Sequence, residues 1–252
     1  LNTINCAIRA KNVVLEYSLF LYLSMNKTML NTNQVASLFR VDNSTIRRWC
    51  LSGKLSCSSS DGGHRKFAYK DIIKFVKHKN KKFSLDLSEI KKKSAQKTIS
   101  GTIETISNSA LDRKHSVIES TLITKYLAGE SVEVIFDKYV DQALDQIQTM
   151  LDDKKISVAE EHIARKTISI GLEHFRHAIV QDKRELKKNA LCLNLENDIP
   201  DISIDMIQIV LEMKNYSVYN SGSNTSTENL KMLLDKHSYD EIYIYMCNRQ
   251  CC

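Results

Sequence analysis

A single proline, Pro200, and seven glycines leave this 252-residue chain little that would interrupt a helix. That scarcity excludes collagen-like, linker-like and turn-rich all-β organisation. No uninterrupted apolar run reaches the length a bilayer requires, so no membrane-spanning helix is expected. The seven cysteines (Cys6, Cys50, Cys57, Cys192, Cys247, Cys251 and Cys252) show no paired spacing that reads as a disulfide framework. Cys50 and Cys192 sit in apolar patterns and read as small core residues. The terminal CNRQCC offers soft-metal or redox chemistry but has no second ligand cluster, so no metal site is assigned and a reduced cytoplasm is expected. A glycine-rich phosphate loop, an HExxH motif and a nucleophile elbow are all lacking, and the expectation is a protein that is not an enzyme. His174 and His177, with Glu173 beside them, read as solvated helix residues rather than metal ligands.

What is present is charge, unevenly placed. The net charge is +6, but residues 40–97 hold 16 Lys/Arg against 5 Asp/Glu, leaving the remainder acidic. A basic module joined to an acidic one is the pattern of a nucleic-acid binder with a separate sensing or assembly part. Ahead of it, Val13 to Met25 imitates a short signal peptide, but Glu16 interrupts the run and no small-residue cleavage site follows. Residues 1–28 are therefore read as a leader outside the natural fold, with the natural start expected at Met25 or Met29.

From Leu30 to Phe67 the pattern becomes specific. Asn31 and Gln34 are spaced as a capping box, and Val35, Ala36, Leu38 and Phe39 supply an apolar helix face. Arg40-Val41 makes a turn, and Asp42 caps a second helix, NSTIRRWC, with Ile46, Trp49 and Cys50 on its apolar side. The other side carries Ser44, Thr45, Arg47 and Arg48, donors suited to base edges and phosphates. A polar loop ending in Asp-Gly-Gly follows, then His64-Arg65-Lys66-Phe67-Ala68-Tyr69 alternates basic and aromatic as an edge hairpin does, and Asp71 starts another helix.

The combination VASLFRVDNSTIRRW, LSGKL and GGHRKF resembles the MerR family of bacterial-type winged-helix transcription regulators, including the branch close to phage excisionases. Residues 29–79 are the winged helix-turn-helix domain under that reading. The resemblance implies double-stranded operator DNA as partner, bound by a homo-oligomer, dimer or tetramer. Ser44, Thr45, Arg47 and Arg48 would read the major groove, while His64, Arg65 and Lys66 would hold phosphates or the adjacent minor groove. Trp49 and Phe67 would fasten recognition helix to wing.

Residues 80–97 are a lysine-rich segment, either a solvated linker or a basic tether adding phosphate contacts. Over 98–188 the periodicity predicts four helices, at 102–110, 113–127, 130–151 and 157–186. Val132, Ile135, Phe136, Val140, Leu144, Ile147 and Leu151 form one buried stripe, and Ser157 with Glu160 makes a capping box, so a four-helix bundle is expected. Residues 189–252 alternate strand and helix, which implies a parallel sheet. The fold class is thus mainly α, with a partial flavodoxin-like α/β region at the C-terminal end.

ISVAEEHIARKTISIGLEHF resembles the helical cap before the cobalamin-binding domains of methionine synthase and of light-sensing repressors of the CarH type. In that resemblance Glu161 and His162 match a pair facing the cofactor, while the cap tryptophan falls on Leu151. The Asp-x-His-x-x-Gly signature falls on Asp198 to Ser203, keeping Asp198 but putting Pro200 at the ligand histidine and Ser203 at the glycine. Gly222 fits the loop after the second strand. Proline has no lone-pair nitrogen for cobalt, and the later strands are absent, so a degenerate effector region is expected rather than firm (adenosyl)cobalamin binding. Such an open sheet would leave an apolar face that either reflects truncation or is covered by another subunit. The alternatives are a functional cobalamin-binding, light-responsive repressor and, more remotely, a cobalamin-dependent methyl-transfer module or an excisionase-like architectural protein.

Overall fold

The computed structural model describes residues 29–39, 41–59, 62–79, 98–180, 188–195 and 201–246. The leader over 1–28, the linker over 80–97, Asp198 and Pro200 lie outside them. The chain divides into two compact units, Leu1–Leu85 and Asp86–Cys252.

The first unit runs β1 (Met29–Asn31), α1 (Thr32–Phe39), α2 (Asn43–Leu51), β2 (Ser58–Ser59), β3 (Arg65–Ala68) and α3 (Tyr69–Lys79). Asn31 and Gln34 form the expected reciprocal pair, the Gln34 N–H donating to Asn31 Oδ1 at 2.9 Å and the Asn31 N–H to Gln34 Oε1 at 2.8 Å. Asp42 occupies the N-cap of α2, but its side chain makes no capping bond. Its carbonyl instead accepts from Thr45 at 2.9 Å, and Asn43 Nδ2 donates to Asn33 Oδ1 at 2.7 Å to tie the two helices. The strands form an antiparallel sheet in the order β1-β3-β2, with Leu30 opposite Phe67 and Ser58 opposite Lys66. β1 was not expected, because a three-residue strand shows too little alternation to register as a period. Val35, Ile46, Leu55, Phe67 and Ile72 are all fully or almost fully buried, and the Trp49 ring lies 5.9 Å from Phe39 and 4.9 Å from Phe75.

The second unit opens with α4 (Ile99–Leu111), α5 (His115–Leu127) and α6 (Val132–Ile135). A π-helical turn, Phe136–Val140, runs from α6 into α7 (Asp141–Asp152), and α8 (Val158–Ile179) follows. These make four rods. Thr98, Ser131 and Ser157 each cap a helix through the side-chain oxygen, and Ser157 with Glu160 completes the capping box. The expected stripe is buried from Val132 to Ile147, with Leu151 only half-buried. Gly171 lets α8 approach α5 so closely that an added Cβ would sit 2.9 Å from Ile118 Cγ2. α8 stops at Ile179, short of the expected residue 186, where Val180 turns extended with ψ 131°.

β4 (Lys188–Asn194), α9 (Asp201–Met213), β5 (Tyr216–Asn220), α10 (Thr227–Lys236) and β6 (Glu241–Tyr245) complete the unit. The strands are parallel in the order β5-β4-β6, second, first, third, which is how flavodoxin-like sheets begin. On one face Ala190 and Cys192 pack with Ile204 and Leu211 of α9. Burial pushes the Cys192 thiol up to about 12, so it behaves as a small apolar group there. On the other face Leu191 and Leu193 are buried, while their row neighbours Tyr219, Ile242 and Ile244 remain 50%, 42% and 45% exposed. Arg176 of α8 grips Glu212 of α9 with two bonds, Nε at 2.7 Å and a terminal nitrogen at 2.9 Å, joining rods to sheet. Among the described residues no helix is long and apolar enough to cross a membrane.

Candidate nucleic-acid interface

α2 is built as a two-sided helix. Ile46 is fully buried and Trp49 is wedged between Phe39 and Phe75, which fixes the rotation of the helix about its axis. Ser44, Arg47 and Arg48 are consequently exposed, and Thr45 is half-buried at the margin. A rigid backbone presenting flexible donors is the arrangement that base-edge reading needs, since the helix is oriented before any contact forms.

The hairpin places the other three expected residues. His64 is exposed just before β3, whereas Arg65 and Lys66 are half-buried within it. Successive strand residues point to opposite sides, so Arg65 and Lys66 do not form one row, and Lys66 stands on the side opposite Phe67. Phe67 is fully buried and seats the hairpin on the helices. Three further cations of this unit are exposed and were not singled out from the sequence. Lys54 is exposed in the loop after α2, and Lys70 and Lys74 are exposed on α3. The lysine excess of this region was visible, but which lysines face solvent was not.

One expectation is corrected here. Cys50 is not an unpaired core residue: it is half-buried at the end of α2 and disulfide-paired with Cys57, which directly precedes β2, with the Cα atoms 6.0 Å apart. Their separation of 7 residues spans the helix end, and backbone bonds from Lys54 and Leu55 to the Trp49 carbonyl fold the chain back on itself there.

Of the positions expected to face a cofactor, Glu161 and His162 lie side by side, with His162 Nε2 3.7 Å from Glu161 Oε2, and Asp198 is outside the described residues. Glu161 turns inward, 5% exposed, and accepts from Arg165, which also reaches Gln148 at 3.3 Å. His162 points outward with its side chain 74% exposed. Gly222 does lie in the loop after β5, with φ +75°, donating to Asn220 Oδ1 at 2.8 Å and accepting from the Asn194 N–H at 3.0 Å. Among the described residues no group of three or more His, Cys, Asp or Glu side chains is placed to hold a metal ion. The solvated reading of His174 is overturned: the residue is 6% exposed, because it continues the Ala164, Ile168, Gly171, Phe175 and Ala178 face of α8. Its Nδ1 is 3.5 Å from Glu119 Oε2, and its ring meets that of His115 edge-on at 5.1 Å. His177 is half-exposed and pairs with Glu173 at 2.8 Å.

Comparison with known proteins agrees with the first of these regions. Residues 29–80 match the family model described as a helix-turn-helix domain. No curated protein matches the chain. Among solved structures it is similar to the monomethylamine corrinoid protein of Methanosarcina barkeri, at 14% identity over 58% of this chain and 69% of that one, with a TM-score of 0.45. It is similar also to the methanol:cobalamin methyltransferase complex of the same organism, at 15% identity over 57% and 55% of the two chains, TM-score 0.31. A cobalamin-binding protein from Desulfitobacterium hafniense gives 9% identity over 58% and 69%, TM-score 0.29. Likenesses of this extent assign no residue and no ligand. The chain joins a helix-turn-helix domain to a helical and parallel α/β unit.

Proposed function

We propose that the protein is a sequence-specific, non-enzymatic DNA-binding transcription regulator of the MerR type, working in the cytoplasm on operator DNA as a dimer or higher oligomer. The observation that carries this reading is the fixed rotation of α2, with Ile46 and Trp49 locked inward and Ser44, Arg47 and Arg48 outward. The hairpin beside it supports the winged form, and the MerR-like phrases supply the finer type. The test is selection of duplexes from a random-sequence library by the full chain, followed by affinity measurement on the enriched and a scrambled duplex. An enriched motif with inverted half-sites supports dimeric operator reading, and equal affinity for both duplexes opposes it.

The rods followed by a sheet in the order β5-β4-β6 favour a second reading, in which the effector region descends from a cobalamin-binding module. The residues present do not fit a histidine-ligated cobalamin. The ligand position is a proline, Glu161 is engaged inward by Arg165, and His162 stands in solvent. Regulation here accordingly proceeds without firm cobalamin binding. Dark incubation with adenosylcobalamin, desalting and a visible spectrum test this: a retained, light-sensitive chromophore would reverse the reading.

A further inference from the structure

We propose that Cys50 and Cys57 form a reversible thiol–disulfide pair that sets how tightly the recognition helix and hairpin hold DNA. The proposal rests on the DNA-reading function above and adds its control by oxidants. The two residues come from the two parts of the reader that must keep a fixed mutual geometry. Cys50 ends α2 one turn after Arg47, and Cys57 abuts β2, whose Ser58 and Ser59 pair with Lys66 and Arg65. A Cα separation of 6.0 Å is the usual spacing of a disulfide.

The intervening loop holds that approach by other means. The N–H groups of Lys54 and Leu55 donate to the Trp49 carbonyl at 2.9 and 3.1 Å, and Leu55 is 1% exposed. The reduced thiols therefore remain facing each other, which makes re-oxidation fast and local. Both cysteines are half-buried and so within reach of a small oxidant.

The reaction balances with a low-molecular-weight disulfide as oxidant. One protein thiolate attacks a sulfur of that disulfide, releases one small thiol and forms a mixed disulfide. The second protein thiolate displaces the other small thiol and closes the Sγ–Sγ bond. The protein loses two electrons and two protons, and the oxidant takes up both. The loop bonds hold the average approach in both states. The covalent tie removes the remaining motion of hairpin against helix, so the oxidised reader loses less freedom on docking and binds DNA more tightly.

Trp49, the single tryptophan of the chain, adjoins Cys50 and reports on the pair. Full-length protein is equilibrated in glutathione buffers of stepped redox poise, trapped by alkylation and peptide-mapped. Trp49 emission and Kd for the library-selected duplex are followed in parallel. Three changes are expected to share one midpoint: appearance of a linked Cys50–Cys57 peptide, quenching of Trp49 emission and an at least threefold lower Kd. Cys57→Ser should abolish all three while leaving the helical circular dichroism and the reduced-state Kd unchanged. Separate alkylation of Cys50 and Cys57 at every poise, equal Kd in the two states, or a redox response surviving in Cys57→Ser each overturns the proposal. If no duplex is enriched in either state, the regulator reading has failed. A linked peptide with Trp49 quenching would then uphold the pairing and overturn its control of reading.

Discussion

Arg47 and Lys66 are both cations of the reader, yet their settings predict different losses. Arg47 is exposed on a helix whose rotation is fixed by Ile46 and Trp49, so its guanidinium can meet a base edge with two bonds. Arg47→Ala should cost about 1–3 kcal/mol on the selected duplex and relax the preference at one position. Lys66 sits on the hairpin opposite Ser58, a half-buried point charge with no fork to read a base edge. Lys66→Ala should weaken selected and scrambled duplexes alike and lower the slope of log K against log salt by about one. Anisotropy titrations over a salt series separate the two, and equal losses for Arg47→Ala on both duplexes would count against base reading. His115 gives a residue-scale prediction in the second unit. Burial, then the neighbouring His174, lowers its pKa below 6.5, with Glu119 acting the other way. The unfolded chain therefore takes up the proton at higher pH than the folded one, so this residue's stabilisation is complete above about pH 6.5 and is lost as pH falls below it. His115→Gln should lose less melting temperature than the wild type between pH 7 and pH 5.5, and a steeper loss would contradict the assignment. Residue type and spacing made the reading side of α2 legible, since one face of a helix follows from its period. The Cys50–Cys57 pairing was not legible, because it depends on a loop returning to the helix end rather than on any period.

At the scale of elements, caps and close approaches decide more than propensity. Ser157 Oγ accepts from the Glu160 N–H while the Glu160 carboxylate accepts from the Ser157 N–H at 2.7 Å, and that bond, with the Ser157 hydroxyl donating to the same carboxylate, holds the Glu160 carboxyl below its usual range. Ser157→Ala should lower stability by about 1 kcal/mol in denaturant unfolding. Gly171 poses a sharper contest. Alanine there gains up to about 1 kcal/mol in helix propensity, but its methyl would meet the fully buried Ile118 at 2.9 Å. Overpacking of this kind costs about 1–3 kcal/mol, so Gly171→Ala should destabilise on balance. Ile118→Ala in the same chain should relieve the clash, giving a double variant better than the sum of the singles; strict additivity would refute it. These helices were legible because capping pairs and apolar stripes are local signals. The π-helical turn at Phe136–Val140 was not, since one widened turn hardly disturbs the spacing of buried residues. It coincides with Tyr139, whose hydroxyl donates to Glu130 at 2.9 Å and, through burial and that carboxylate, is pushed up to about 12.

For the whole molecule, the basic stretch over 40–97 covers most of the helix-turn-helix domain, and the boundary between the two compact units, after Leu85, falls within that stretch. Composition could not show how the helical rods and the sheet are joined, because that join is made by single side chains. Arg176 binds Glu212 bidentately and Glu173 at 2.8 Å, Gln208 steadies Glu212 at 2.8 Å, and Ser169 reaches Asp205 at 3.2 Å. The Glu212 bond is the largest cause of the raised Arg176 pKa, which marks it as the dominant partner. The Glu212 side chain is 11% exposed and that of Arg176 24%, so water screens the pair only partly. Removing one partner should therefore cost more than a surface ion pair, about 1.5–3 kcal/mol. Glu212→Ala should lower the unfolding free energy by that amount and speed amide exchange in β4 and α9 before that in α4 and α5. Adding Arg176→Ala should cost little more, because the two changes remove the same contact. Uniform acceleration across both regions would show instead that rods and sheet open together, with Arg176–Glu212 only one contact among many.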